Sequence, residues 1–223
     1  MSVMVDDKVI QLSKEDLINY LKSITSDNIK SIEVITTPPA KYDAEGNSGI
    51  VNIKLKKAKL NQWSASFKSS YIQSTYPKGS VGGQFNYQKN KFSLYSNLSY
   101  TNGSNAPVEI NNVYYDTGLW NEESKRRDFQ KSLAGRIGIN YKITDNWNIG
   151  IQYLGNTNKP SINENILTTI YNPDNITVDS FIKTISDSKN KNNNHSLNFN
   201  SDIELDSLGR KMSVNFDYFG YKN

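Results

Sequence analysis

The chain has 223 residues, 36% of them hydrophobic and 11% aromatic, with a mean hydropathy of −0.65 and a net charge of +4. It has no cysteine, which excludes a disulfide framework, a thiolate metal site and a cysteine nucleophile. No apolar run reaches the ~18 residues of a membrane-spanning helix, and Lys and Arg are dispersed among acids rather than gathered into the basic face of a nucleic-acid binder.

A chain this polar would be disordered if it lacked aromatics. Its wealth of Tyr, Asn and Ser instead fits β-structure with one wet face. The opening "MSVMVDDKVI" has an acidic pair where a secretory signal would carry a basic segment and a long apolar stretch. Val3, Val5, Val9 and Ile10 predict a short strand pair turning at Asp6-Asp7-Lys8. Ser13 with Asp16 three residues on is a capping-box-like start. Leu17, Leu21 and Ile24, with Ile18 and Tyr20 beside them, predict an amphipathic helix from about Lys14 to Ser23. "SDNIKSIEVIT" reads as a strand stopped by Pro38 and Pro39. Gly46 and Gly49 bracket a turn, and "GIVNIKLKK" is the next strand. Residues 1–58 are therefore expected to form a small α+β unit, short for an independent core, and residues 59–223 a second region.

From Asn61 the pattern becomes strict alternation. Seven windows put apolar or small residues on one face and polar residues on the other: 63–71, 81–87, 92–100, 133–143, 147–153, 197–205 and 212–218. Every charge in them falls on the polar face. Three connections are short, at Gln88–Lys91, Thr144–Asn146 and Asp206–Lys211. Residues 101–132 and 154–196 are expected to be long connections that include extended parts of the strands. Tyr87 with Phe92, and Tyr141 with Trp147, flank short turns, as in an aromatic girdle at a membrane interface. Short turns at one end and long connections at the other predict a mainly β fold. The expectation is an antiparallel up-and-down transmembrane β-barrel segment of about seven strands, not closed. A soluble β-sandwich also alternates, but its inner faces are richer in Val, Ile and Leu than these.

"SDNIKSIEVITTPPAKYDAEGNSGIVNIKLKK" resembles the end of the plug domain of TonB-dependent outer-membrane receptors. The likeness rests on Ile29, Ile32, Glu33, Val34 and Ile35. It continues with Pro38, Pro39, Ala40, Tyr42 and Gly46, then Gly49, Ile50, Val51, Asn52 and Ile53. The double proline with "AKYDAEGN" is similar to the subfamily described as outer membrane beta-barrel family proteins. The match is close over residues 3–58 and one of pattern beyond. It implies a fragment: the C-terminal part of a plug followed by the first strands of a wide barrel, such barrels having 22 strands around a plugged lumen. It further implies a bacterial outer-membrane location, contact with outer-membrane lipid, and import of a scarce nutrient with energy from the TonB complex, whose box is absent from these residues. No enzyme chemistry and no cofactor are expected.

Candidate site residues follow. Pro38, Pro39, Lys41, Tyr42, Asp43, Glu45, Gly46 and Gly49 form a loop that could contact the wall, with Lys41, Asp43 and Glu45 facing lumen residues such as Lys68 or Arg136 or else water. Gly and Pro there also serve ordinary turn geometry. Lys54, Lys56, Lys57 and Lys59 make a basic stripe, by default a solvated face. Outer loops near Asp116–Arg127 and Asn172–Asn194 could capture ligand, with Tyr114, Tyr115 and Trp120 stacking on it. His195, the only histidine, stands next to Ser196, which points to the opposite face of a strand, so no Ser-His-acid site is expected. No zinc spacing or Gly-rich phosphate loop is present. The alternatives are a smaller outer-membrane barrel serving as adhesin or structural protein, and a soluble β-sandwich binding module.

Overall fold

The computed structural model describes residues 2–10, 12, 14–24, 26–36, 49–56, 60–206 and 208–222. The chain begins with a small unit made of β1 (Ser2–Val5), β2 (Lys8–Val9), α1 (Lys14–Ser23), a 3-10 turn (Ser26–Asn28), β3 (Ile29–Ile35) and β4 (Ile50–Leu55). Its sheet runs β2-β1-β4-β3, with β1 parallel to β4 and the other pairs antiparallel. Asp6 and Asp7 take φ of 51° and 66°, the two left-handed residues of a tight hairpin turn, so Lys8 belongs to β2 rather than to the turn.

The helix bounds and the Leu17, Leu21 and Ile24 stripe match the periodicity, and the two flanking residues divide. Tyr20 and Ile24 are buried, with Leu17 and Leu21 beside them, and Ile18 is exposed. Positions 17, 20, 21 and 24 share the stripe because their spacing follows the 3.6-residue turn. Ser13 and the side chain of Asp16 lie outside the described residues.

Val5, Ile10, Tyr20, Ile24 and Ile53 form one apolar cluster, completed by Leu154 from the second region. The small unit thus finishes its core on its neighbour.

The second region is a ten-stranded antiparallel sheet. It comprises β5 (Gln62–Gln73), β6 (Pro77–Lys89), β7 (Phe92–Asn105), β8 (Val108–Tyr115), β9 (Gly118–Thr144), β10 (Trp147–Asn158), β11 (Ser161–Tyr171), β12 (Val178–Lys189), β13 (Asn192–Glu204) and β14 (Lys211–Lys222). The central path is β14-β13-β10-β9-β7-β6-β5, while β8 and β11 both pair with β9, and β12 with β11.

The ten strands lie on seven lines. β7 and β8 pair with one edge of β9 in a single continuous register, Asn105 opposite Asp128 and Val108 opposite Lys125. β10 and β11 do the same on the other edge, Asn158 opposite Ser132 and Ser161 opposite Phe129. β12 and β13 continue one another past residues 190–191. Pro107 and Pro160 sit at two of the interruptions. Proline gives the ladder no N–H, yet each still accepts a bond through its carbonyl, from Arg126 N–H at 3.0 Å and from Asn190 N–H at 3.0 Å. Among the described residues β5 and β14 do not pair with each other, so the sheet is open.

All seven alternating windows lie in strands, save Leu205 just past the end of β13. Residues 101–132 and 154–196, expected as long connections, are almost wholly strand. The turns at that end are short, at 74–76, 116–117 and 172–177. Asp116–Arg127 and Asn172–Asn194 are therefore not loops. The outermost turn, 172–177, is closed by Asp174, whose carboxylate accepts the N–H groups of Ile176 and Thr177. Together with the Thr177 hydroxyl, these donors hold that carboxyl below its ordinary range.

The two faces of the large sheet are inverted relative to a water-soluble sheet. Phe67, Leu98 and Phe216 are 76%, 58% and 61% exposed, whereas Arg136, Gln152 and Asn156 are 3%, 4% and 2% exposed. Ordinary sheets bury the first kind of residue and wet the second. Here the small unit lies against the polar face.

Replacing Leu154 by Ala removes the one aliphatic side chain that the large sheet lends to the small unit's core. A loss of about 2–5 kcal/mol is expected. It should appear as lost hydrogen-exchange protection in β1 and β4, with the β6–β7 amides little changed.

Candidate functional site

The contact between the small unit and the large sheet is built around Arg136. Alternation along β9 puts Arg136 on the polar face, between Asn97 of β7 and Leu154 of β10. Its Nε donates to Gln152 Oε1 at 2.9 Å and its Nη2 donates to Asp6 Oδ2 at 3.1 Å. The guanidinium lies 4.6 Å from the centre of the Tyr95 ring, within cation–π range. The Tyr95 hydroxyl also donates to Gln152 Oε1, at 2.8 Å. Only a planar fork can meet a carboxylate, an amide and a ring at once, so lysine would not substitute.

Two glycines make room for this layer. Tyr95 stands directly opposite Gly138 and reaches across it to Gln152 on the next strand. A Cβ at Gly138 would stand only 2.1 Å from Tyr95 Cζ, where no side chain fits. Gly150 lies beneath the amides of Asn140 and Asn200 in the same way, and Asn200 Oδ1 accepts Lys8 Nζ at 3.0 Å.

The small unit holds its side of the contact rigidly. Asp6 Oδ1 accepts the Leu55 N–H at 2.9 Å, which leaves Oδ2 aimed at Arg136. Beside it Asn52, fully buried, donates to Asp7 Oδ1 at 2.8 Å and to Glu33 Oε2 at 3.0 Å. Lys54 pairs with Asp7. Lys54 is thus held in a network rather than solvated, and Asp7 strengthens its hold on the proton against the opposing effect of desolvation.

Burial pushes the Tyr20 hydroxyl up, with Arg136 opposing. Burial, and then the Arg136 charge, lower Lys8 to about 8, against the pull of Asp217, Asp202 and Asp6. Further along, Asn28 Nδ2 donates to Ser66 Oγ at 2.8 Å. Lys68 Nζ donates to the Lys22 carbonyl in the last turn of α1 at 2.9 Å, where a cation suits the helix dipole. The fastening therefore spans β5, β9, β10 and β13.

Arg136 and Lys68 do face the small unit, but their described partners are Asp6 and the Lys22 carbonyl. Pro38, Pro39, Lys41, Tyr42, Asp43, Glu45 and Gly46 lie outside the described residues, as do Lys57 and Lys59. Gly49 precedes β4, where an added Cβ would stand 3.1 Å from the Ile35 carbonyl oxygen. The sequence signal for the true centre was one arginine within "LAGRIGINYKI", beside a glycine.

At the far end, Tyr115 and Trp120 meet edge-on, their ring centres 5.6 Å apart. Tyr114 pairs with Leu119 on the opposite face. These aromatics stand on strands around the 116–117 turn, not in a long loop. On the Trp120 side β9 carries Glu122, Arg126 and Asp128, flanked by Glu109 and Glu164. Arg126 contacts Asp128 at 2.7 Å and Glu109 at 3.8 Å, and Ser124 donates to Glu164 at 2.6 Å. His195 is a strand residue on the apolar face, its Nδ1 2.6 Å from the Tyr153 hydroxyl, and Ser196 is on the other face. Among the described residues no three His, Asp or Glu side chains are placed to hold a metal ion.

Arg136→Ala should cost about 3–5 kcal/mol, because it leaves the partly buried Asp6 carboxylate unpaired. With Asp6→Ala already present, the further cost should be much smaller. Denaturant melts of the four proteins in this cycle measure that coupling. No family model, no curated protein and no solved structure matches the chain.

Proposed function

We propose that the chain is a plug-and-wall piece of a TonB-dependent outer-membrane receptor. In this reading the small unit is the C-terminal part of the plug and the large sheet the first part of the barrel. The carrying observation is the inverted sheet: its aromatic and aliphatic face is uncovered while a folded unit occupies its polar face. A membrane-embedded barrel has this polarity, apolar to lipid and polar to the lumen.

Dimensions support the reading. On β9 the outward face is uncharged from Leu133 to Ile143, and Lys131, Phe129, Arg127, Lys125 and Glu123 continue the same face beyond. A transmembrane strand needs about 9–11 residues, so the rest of this 27-residue strand would project past the bilayer. Trp63, Tyr87, Phe92, Tyr141 and Trp147 gather near the short turns, where interfacial rings belong. Tyr87, Lys89, Lys91, Phe92 and Tyr141 line a shallow groove there of about 520 Å³. On the polar face, both amide atoms of Asn156 and the Oδ1 atoms of Asn158 and Asn194 are buried with no hydrogen-bond partner among the described residues, as suits a wet interior.

Nutrient import energised by TonB rests on the resemblance of residues 29–53. In that reading the polar fastening at Arg136, Lys8, Asn28 and Lys68 is what a pulled plug must release. Hydrogen bonds and one ion pair can be exchanged for water during release, whereas a large apolar interface could not.

The three tryptophans test the membrane reading. In single-tryptophan variants reconstituted in vesicles, Trp63 and Trp147 should be quenched by brominated lipid. Trp120 should be quenched only by aqueous iodide. Equal iodide quenching of all three in a detergent-free, monodisperse protein would point to the soluble sandwich.

Transport is tested in cells whose only full-length copy carries Asn28→Cys and Ser66→Cys joined by a short thiol cross-linker. Growth on the nutrient that the wild-type copy supports should stop, while either single-cysteine variant treated alike should grow. Undiminished growth of the cross-linked cells would exclude plug release at this contact.

A further inference from the structure

We infer that Lys131, Lys159 and Lys191 form a site for the anionic phosphate groups of lipid headgroups at the far-end margin of the apolar face. The inference rests on the membrane reading above. The observation is one of register. Lys159 N–H donates to the Lys131 carbonyl at 2.8 Å, setting these residues side by side on β9 and its neighbouring line. The pairs Asn158–Asn192 and Ser161–Lys189 bracket Lys159 and Lys191 in the same way on the next line. All three alternate with buried polar-face residues, Ser132, Asn158 and Asn192's neighbour Asn194 among them, and all three are exposed. They therefore stand on the outward face in one row at one height.

Side chains directly opposite one another across strands have Cβ atoms about 4.5–5.5 Å apart, and like charges so placed repel. Acids could relieve the row, yet the described outward ion pair nearby is Lys125 with Glu123, higher on the same strand. Arg127 is also occupied, stacked 3.7 Å from the Tyr76 ring centre and 4.3 Å from that of Phe129, with its Nε on Ser104. Asp187 lies two positions above Lys189, beyond the row. No ion pair or hydrogen bond of the three side chains is found among the described residues.

The position fixes the occupant. Leu133, Thr157 and Asn193 form the register row just beneath, and on β9 the uncharged run of this face begins at Leu133, with Phe129 on the other side of Lys131. Lys222 lies opposite Asn193 and Lys189 opposite Ser161, so two more cations flank the row. Cations stacked directly on an apolar band meet lipid at the depth of its phosphates, and flexible Lys stems reach that depth while lying on apolar surface. The opposite face at the same end carries Glu109, Glu122, Asp128 and Glu164, with Arg126 paired among them, so acids outnumber cations there.

Spin-labelled phosphatidylglycerol and phosphatidylcholine, compared in phosphatidylcholine vesicles holding the refolded chain, test this. Wild type should prefer the anionic label. K131Q/K159Q/K191Q should lower that preference on the order of tenfold or more, at roughly 1 kcal/mol per surface lysine. K125Q/K183Q, which removes charge higher on the same face, should leave it unchanged. Trp147 quenching by brominated lipid verifies that each variant is inserted. An unchanged preference in the triple variant, an equal loss in the control, or displacement of the label by inorganic phosphate alone would each overturn the site and leave the membrane reading standing. Failure of wild type to insert would overturn both.

Discussion

The ion pair between Arg136 and Asp6 settles how a sheet with a buried polar face can be joined to a separate folded unit. A guanidinium at that depth has lost almost all contact with water, and such a charge is tolerable only when it is paired and its remaining donors are used. Every neighbouring feature meets that demand. Gly138 lets Tyr95 lie flat, Tyr95 gives Arg136 an aromatic face, and Gln152 accepts from both. Across the contact, the strained turn at Asp6 is steadied by the Leu55 N–H. Leu154 then adds apolar contact beside this polar layer. The arrangement favours specific alignment over adhesion, because net stabilisation from a buried pair is small while its geometry is exacting.

β9 organises everything else. It pairs along its whole length, with β7 and β8 on one edge and β10 and β11 on the other. The prolines at 107 and 160 interrupt its neighbours and not β9 itself. One strand therefore carries three surfaces in succession: an apolar band, a basic margin on the same face, and an acidic tip on the face that meets the small unit. Their order along the chain follows from alternation alone, since each change of surface is a change of residue type at fixed parity.

The legible parts of the sequence were those where one face is apolar. The seven windows and the α1 bounds were read correctly because hydrophobic periodicity of 2 or 3.6 is a strong signal. The upper strands read as connections because "NEESKRRDFQ" and "SDSKNKNNNH" are mostly polar on both faces, and a strand with two wet faces has no period to detect. Pro107 and Pro160 also stand within residues 101–132 and 154–196, and proline ordinarily ends a central strand. On α1 the Leu17, Leu21 and Ile24 stripe is legible, and of its two apolar neighbours position alone separates buried Tyr20 from exposed Ile18. The site was half legible. Arg136 stood out as a polar-face residue, but its partner Asp6 is distant in sequence and looked like simple turn chemistry. Gly138 and Gly150 showed no sign that they make room for Tyr95 and Asn200.

Trp120 and Arg136 occupy the same side of β9, separated by sixteen positions. At about 3.3 Å per residue they are roughly 50 Å apart along a backbone bonded on both edges. A fully extended chain cannot lengthen, and a doubly paired one does not readily bend. The aromatic tip and the guanidinium are thus the two ends of a single stiff spar, with no loop between them to absorb a displacement. Tilting one end must be answered at the other.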